Sequence, residues 1–148
     1  MLKSYNLPRD LEKYCNALKK NGLKATAQRV AIHEAMLEMG HASADMVYDW
    51  LERNSDTRVT VASVYNTLSQ LSELGIYGYR MSANNKMYFD VFPKPHIHLY
   101  DCVNHTFRDI NDEKLQTALL ERIGLRRFRG YRIENVDIQF IVRPITKK

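Results

Sequence analysis

His96-Ile97-His98 is the pattern with the most chemistry in this 148-residue chain. Side chains on a β-strand alternate between its two faces, so an H-x-H places both imidazoles on one side. Two nitrogen donors on one face make half of a divalent-metal site. Carboxylates stand where they can add oxygen donors: Asp90 at the end of an earlier strand pattern, and Asp109 on what reads as the neighbouring strand. Taken alone, an H-x-H also describes two solvated histidines on an edge strand. Of the other histidines, His33 lies in a mixed apolar helix face and reads as a packing residue, and His105 reads as part of a turn.

A second group of side chains suits DNA. Thr60 opens a run in which Val61, Val64, Leu68 and Leu71 recur near the helical period. With those four facing a core, the opposite face carries Ser63, Tyr65, Asn66, Thr67 and Gln70. Asn and Gln pair bidentately with adenine, and Tyr or Thr packs against a thymine methyl. That helix has no Lys or Arg, so phosphate contacts must come from elsewhere. Lys24 and Arg29, with Thr26 and Gln28 beside them, are the candidates. They belong to a basic stripe (Lys3, Arg9, Lys13, Lys19, Lys20, Lys24, Arg29) opposed only by Asp10 and Glu12. Such a stripe gains affinity for phosphates by releasing counterions, although a solvated helix face has the same composition. A second basic cluster, Arg126, Arg127, Arg129 and Arg132, has no assigned role.

The elements that must position these residues fall into two sets. Helices are expected over Pro8–Lys20, after the Thr26 cap to Gly40, after the Ser43 cap, and from Thr60 to Gly75. The period then changes to two: 76–80 and 86–90 flank Ser82-Ala83-Asn84-Asn85 as a β-hairpin. Three helices closed by a hairpin make a winged helix-turn-helix, with the hairpin as wing. Pro93 and Pro95 form a stiff joint, followed by strands near 96–100 and 106–110, a helix over 112–123 and a strand over 132–142. The expected fold is α+β, with a winged-helix DNA-binding domain at 1–91, a hinge at 92–95 and a small α/β domain at 96–148. A β-β-α-β unit of that size is small for a solitary core, so it should bury its sheet against a second copy of the chain.

Composition narrows the class further. The chain is 45% apolar and 26% charged, with 22 Lys+Arg against 17 Asp+Glu, as in a soluble globular protein. No run approaches the roughly 18–20 apolar residues of a membrane span, and the start of the chain lacks the apolar core of a secretory signal. Cys15 and Cys102, the two cysteines, stand in no C-x-x-C pair. A reducing cytoplasm is the expected location.

Several separated segments resemble the ferric uptake regulator (Fur) superfamily. Leu23-Lys-Ala-Thr26-Ala-Gln28-Arg29 is similar to its opening signature, and Val59-Thr-Val-Ala-Ser-Val-Tyr65-Asn66-Thr-Leu68 to its recognition helix. His41-Ala-Ser-Ala-Asp-Met-Val-Tyr48 matches the interdomain histidine segment, and Tyr88-Phe89-Asp90, His96-Ile-His98 and Asp109 keep the family's order. The resemblance runs from about residue 12 to residue 143. It implies a homodimeric repressor on double-stranded DNA, at an A/T-rich inverted-repeat operator, controlled by Fe(II) or Mn(II). Carried over by motif, the ligands are His41, Asp90, His96, His98 and Asp109. Imidazole mixed with carboxylate suits Fe(II) or Mn(II) better than tetrahedral thiolate zinc. A metallo-hydrolase or oxygenase built on His96, His98 and Asp90 would need an open coordination position and a positioned base. Five protein ligands leave little room for either.

The departures point to a branch. Most Fur-type proteins hold a structural zinc with two C-x-x-C pairs; here the first pair reads Asp101 and Asn104, and the tail has no cysteine. A four-cysteine zinc is therefore excluded. Loss of those cysteines, with Val64–Gln70, Tyr88–Asp90 and the segment 130–137, resembles the iron response regulator branch, which links haem status to iron genes. That resemblance implies haem binding at His96 and His98, although the Cys-Pro haem motif of some members is missing. The alternative is the peroxide-sensing branch, whose site Asp109 resembles and in which bound Fe(II) leads to oxidation of a ligand histidine, here His41 or His96.

Overall fold

The computed structural model describes residues 7–94, 96–133 and 135–146, with side chains from Asp10 onward. Lys3 of the basic stripe, Pro95 of the expected joint and Glu134 lie outside the described residues. The chain divides into two compact units, Met1–Met81 with Asn85–Pro93, and Ser82–Asn84 with Lys94–Lys148.

The first unit contains α1 (Leu7–Lys20), α2 (Ala27–Met39), β1 (His41–Ser43), α3 (Ala44–Asn54), α4 (Val61–Glu73), β2 (Gly78–Met81) and β3 (Met87–Asp90). Side-chain caps fix where three of its helices begin. Thr26 Oγ1 accepts from Arg29 N at 3.2 Å, and Ser43 Oγ accepts from Met46 N at 3.3 Å. Thr60 and Ser63 form a reciprocal capping box, each backbone N–H donating to the other's hydroxyl at 3.0 Å. Gly40, at φ 73°, ends α2 with its N–H on Met36 O. Only glycine adopts that left-handed geometry without strain.

Each helix buries one stripe. Tyr14 and Leu18 of α1 meet Ala31, Ile32, Ala35 and Met36 of α2, Val47 and Leu51 of α3, and Val64, Leu68 and Leu71 of α4. Burying a Leu or Val side chain contributes about 1.5–3 kcal/mol, so this stripe of large aliphatics is the main support of the unit. Val61, expected in the core, is 38% exposed. It occupies the first turn of α4, ahead of the i, i+4, i+7 series that begins at Val64.

A three-stranded antiparallel sheet, in the order β1-β3-β2, closes the unit. The expected hairpin is thus joined by a third strand, with His41 opposite Asp90, Ala42 opposite Phe89 and Ser43 opposite Tyr88. Ala42 and Phe89 point into the helical core. His41, Asp90, Tyr88 and Arg80 therefore share the other face, because paired residues lie on one side and strand faces alternate.

The second unit contains β4 (Ile97–Asp101), β5 (Thr106–Asp109), α5 (Glu113–Gly124) and β6 (Ile138–Val142). Its sheet order is β5-β4-β6, with β4 antiparallel to β5 and parallel to β6. The last strand begins at Ile138 rather than near Arg132. Gly130, at φ 85°, turns the chain between Phe128 and Tyr131, and the Asn135 side chain accepts from Val136 N, so residues before 138 follow local bonds rather than a ladder.

Candidate metal centre and DNA-reading helix

Each unit holds part of the expected ligand set. In the first, the β1–β3 register places His41 beside Asp90, with His41 Nε2 3.1 Å from Asp90 Oδ2. The Arg80 guanidinium approaches the same oxygen at 3.2 Å, and Asp90 Oδ1 accepts from Phe92 N at 2.8 Å. Asp90 has no solvent exposure at all.

In the second unit, His98 pairs with Asp109 across β4 and β5. His96 precedes β4 by one residue, yet its ring lies 4.1 Å from that of His98, centroid to centroid. Both Nε2 atoms point at Asp109 Oδ1, at 3.0 Å from His96 and 3.4 Å from His98. The same-face expectation for H-x-H is met. His96 Nδ1 lies 2.7 Å from Lys94 O. A carbonyl can only accept, so Nδ1 carries a proton, and Nε2 is the ring nitrogen that faces the carboxylate. At 3.0 Å that nitrogen and the carboxylate oxygen can share a proton or a metal ion. His98, with 1% of its side chain exposed, stands edge-on to Phe107.

The donors therefore fit a hard or borderline divalent ion, with imidazole nitrogen and carboxylate oxygen in each unit and no thiolate among them. The positions of the missing first cysteine pair carry a different device. Asp101 Oδ1 accepts from Val103 N and Asn104 N, and Asn104 Nδ2 donates to Asp101 Oδ2 at 2.8 Å. A hydrogen-bonded turn takes the place of a zinc knuckle, and the Asn104 bonds hold the Asp101 carboxyl below its usual range.

The DNA-binding candidates all lie in the first unit. On α4, Tyr65 is 44% exposed with its ring edge against Phe89, Asn66 is exposed and Thr67 half-buried. Ser63 has its hydroxyl engaged in the capping box, donating to Thr60 O at 2.9 Å. Arg29 has a second task that the sequence did not reveal. Its Nη1 donates to Lys24 O at 2.9 Å and its Nη2 to Gln70 Oε1 at 3.4 Å, so it braces the α2 entry against α4. Lys24 and Thr26 are exposed and Gln28 half-buried. Arg126, Arg127, Arg129 and Arg132 line one hollow with Phe128 and Tyr131 in the second unit.

His33 is buried, stacked on Tyr14 at 3.8 Å between ring centroids, and bonded through Nδ1 to Tyr77 Oη at 2.6 Å. Burial pushes its pKa down to about 4, partly offset by hydrogen bonding to the Asp10 backbone. It is a neutral packing residue, as read from the sequence.

The family model described as the ferric uptake regulator family matches residues 20–141. The chain belongs to that family. It is 33% identical over 124 residues to the ferric uptake regulation protein of Haemophilus ducreyi, covering 78% of this chain and 82% of that one. It is 32% identical over 90 residues to the peroxide operon regulator of Bacillus subtilis, covering 60% and 61%. Among solved structures, the Pseudomonas aeruginosa ferric uptake regulator with manganese superposes with a TM-score of 0.65 at 26% identity, covering 88% and 97%. This Fur-family chain is accordingly a metal-responsive transcription regulator and not an enzyme. Its winged-helix and α/β units are those expected from the sequence, and no helix among the described residues is long and apolar enough to cross a membrane.

Proposed function

We propose that the chain is a cytoplasmic, homodimeric, metal-dependent repressor of iron and haem homeostasis genes. His41 and Asp90 from the winged-helix unit and His96, His98 and Asp109 from the other would hold one Fe(II) or Mn(II), with residues 92–95 as hinge. His96 Nε2 and Asp109 Oδ1, 3.0 Å apart with His98 Nε2 3.4 Å from the same oxygen, carry this reading, because a single cation can take all three as donors. An ion held by donors from both units would supply a cross-link between them. The protein does the rest: Asp90 is held by Phe92 N, His96 by Lys94 O, and the dimer spaces two α4 helices for successive major grooves. Lys24, Gln28 and Arg29, with the Thr26 cap, would approach phosphates, and Ser63, Tyr65, Asn66 and Thr67 the bases of an A/T-rich inverted repeat.

Two signals compete for the finer assignment. Haem at His96 and His98 would have to displace Asp109 from both imidazoles, and His96, with 16% of its side chain exposed, is the ring open to it. Peroxide sensing, by oxidation of His41 or His96 beside bound Fe(II), is supported by the likeness to a peroxide operon regulator. Fluorescence anisotropy of an inverted-repeat duplex with Mn(II)-loaded protein tests the common core. Metal-dependent binding, lost in His96→Ala, is expected; equal binding with and without metal would remove the metal reading. Adding haemin to the Mn(II) complex, and peroxide to the Fe(II) complex, then separates the branches by which one releases the DNA.

A further inference from the structure

Arg80 enters none of the motifs above, yet it reaches the most deeply buried carboxylate of the wing sheet. Its Nη2 lies 3.2 Å from Asp90 Oδ2, the oxygen that His41 Nε2 approaches at 3.1 Å. Arg80 is itself 8% exposed, and Asp90 is fully buried. The strand register explains the contact. Gly78 stands opposite Asp90 and Arg80 opposite Tyr88, so Arg80 lies diagonal to Asp90 on one face. Gly78, opposite Asp90, is itself crowded: a Cβ there would meet Phe92 O at 3.2 Å, Pro93 Cα at 3.5 Å and Asp90 Cβ at 3.7 Å.

A buried carboxylate needs a compensating positive charge. In the metal-free wing the guanidinium provides it, permanently, because arginine does not deprotonate in proteins. A divalent ion on Asp90 would bring a second positive charge to the same oxygen, and two cations within a few ångströms in a low-dielectric pocket repel each other strongly. We propose that Arg80 is a built-in counter-cation that holds Asp90 in the metal-free protein and must yield Oδ2 to the incoming ion. It thereby sets the metal concentration at which the regulator engages. This inference rests on the assignment of Asp90 as a ligand.

The full-length protein with Arg80→Met tests it, using Mn(II) as the only added probe and calorimetric titration as the readout. Mn(II) should bind about tenfold or more tightly to R80M than to wild type. The metal-free variant should melt lower than metal-free wild type, while the two Mn(II)-loaded proteins melt together. Arg80→Lys, which keeps the charge, should stay within about threefold of wild-type affinity and serves where R80M fails to fold. Weaker or unchanged Mn(II) binding in R80M, or tighter binding in R80K to the extent expected of R80M, would overturn the proposal. Wild type that binds Mn(II) equally well after Asp90→Asn would instead overturn the ligand assignment. Binding by R80M alone, with none to wild type, would support Arg80 as the gate.

Discussion

The two units of this chain solve the same packing problem to different degrees. In the winged-helix unit, α1, α2, α3 and α4 and the sheet close on one another, and Leu18, Ile32, Met36, Val47, Leu51, Val64, Leu68 and Leu71 have no solvent exposure. In the second unit α5 buries no residue at all, and Phe140 and Ile141 of β6 are 47% and 63% exposed. Leu125, Phe128 and Tyr131 stand exposed nearby in sequence. A small unit that leaves so many large apolar side chains in solvent has not finished burying its core. The first unit is built to fold as it stands, and the second to be completed by another copy.

The sharpest way to break the contrast is to cut into the finished core. Leu68→Ala removes a fully buried side chain from α4 and should cost about 3–5 kcal/mol of stability, read as a lower urea midpoint. A loss below about 1 kcal/mol would mean that the helices repack freely and that the first unit is looser than its burial implies. The companion experiment loads the other unit. Ile141→Asp should leave urea unfolding of the winged helix nearly unchanged, while weakening self-association by about 2–4 kcal/mol in sedimentation equilibrium. An unaltered dimer would place the interface elsewhere.

The core of the first unit also hides a proton-sensitive element. His33 has a pKa of about 4 in the fold against an ordinary 6.5, chiefly because burial disfavours the imidazolium. The unfolded chain takes up a proton there first as the pH falls. Its contribution is therefore complete above pH 6.5, is lost progressively between 6.5 and about 4, and changes no further below. The amount is roughly 3 kcal/mol. His33→Phe keeps the stack on Tyr14 and should flatten this part of the stability profile, whatever it does to the plateau. An unchanged slope would assign the acid sensitivity to other groups.

How legible each feature was in the sequence depended on its range. The α4 stripe, the hairpin and the H-x-H are periodic over a few residues, and the sequence displays them directly. β1 is three residues long, too short for alternation to register, so the strand that sets His41 opposite Asp90 was invisible. Arg80 on Asp90 depends on the strand register, which sets the two residues on a diagonal of one face. Arg29 on Gln70 joins residues 41 apart in sequence, and the Tyr14–His33–Tyr77 stack joins α1, α2 and the turn before β2; neither has a local signature. His41 became legible through resemblance to a family rather than through spacing. Val61 erred the other way: the period included it, but the helix begins one turn too late to bury it.

An exposed aromatic on α4 of the finished unit offers the finest test of the comparison. Tyr65 is 44% exposed, comparable with Tyr79 at 43% and Met81 at 51% on the wing strand, and its ring leans edge-on against Phe89. Such exposure has a cost in solubility that packing does not require, and the side chain projects beside exposed Asn66 from the helix whose polar face suits base edges. Tyr65→Ala should therefore weaken binding to the specific operator by about 1–3 kcal/mol while leaving binding to random DNA and the urea midpoint nearly unchanged. Equal losses on specific and random DNA would make Tyr65 a support for the α4 surface. A drop in the urea midpoint would make the Phe89 contact structural, and the winged helix would then share the second unit's habit of leaving apolar side chains half in solvent.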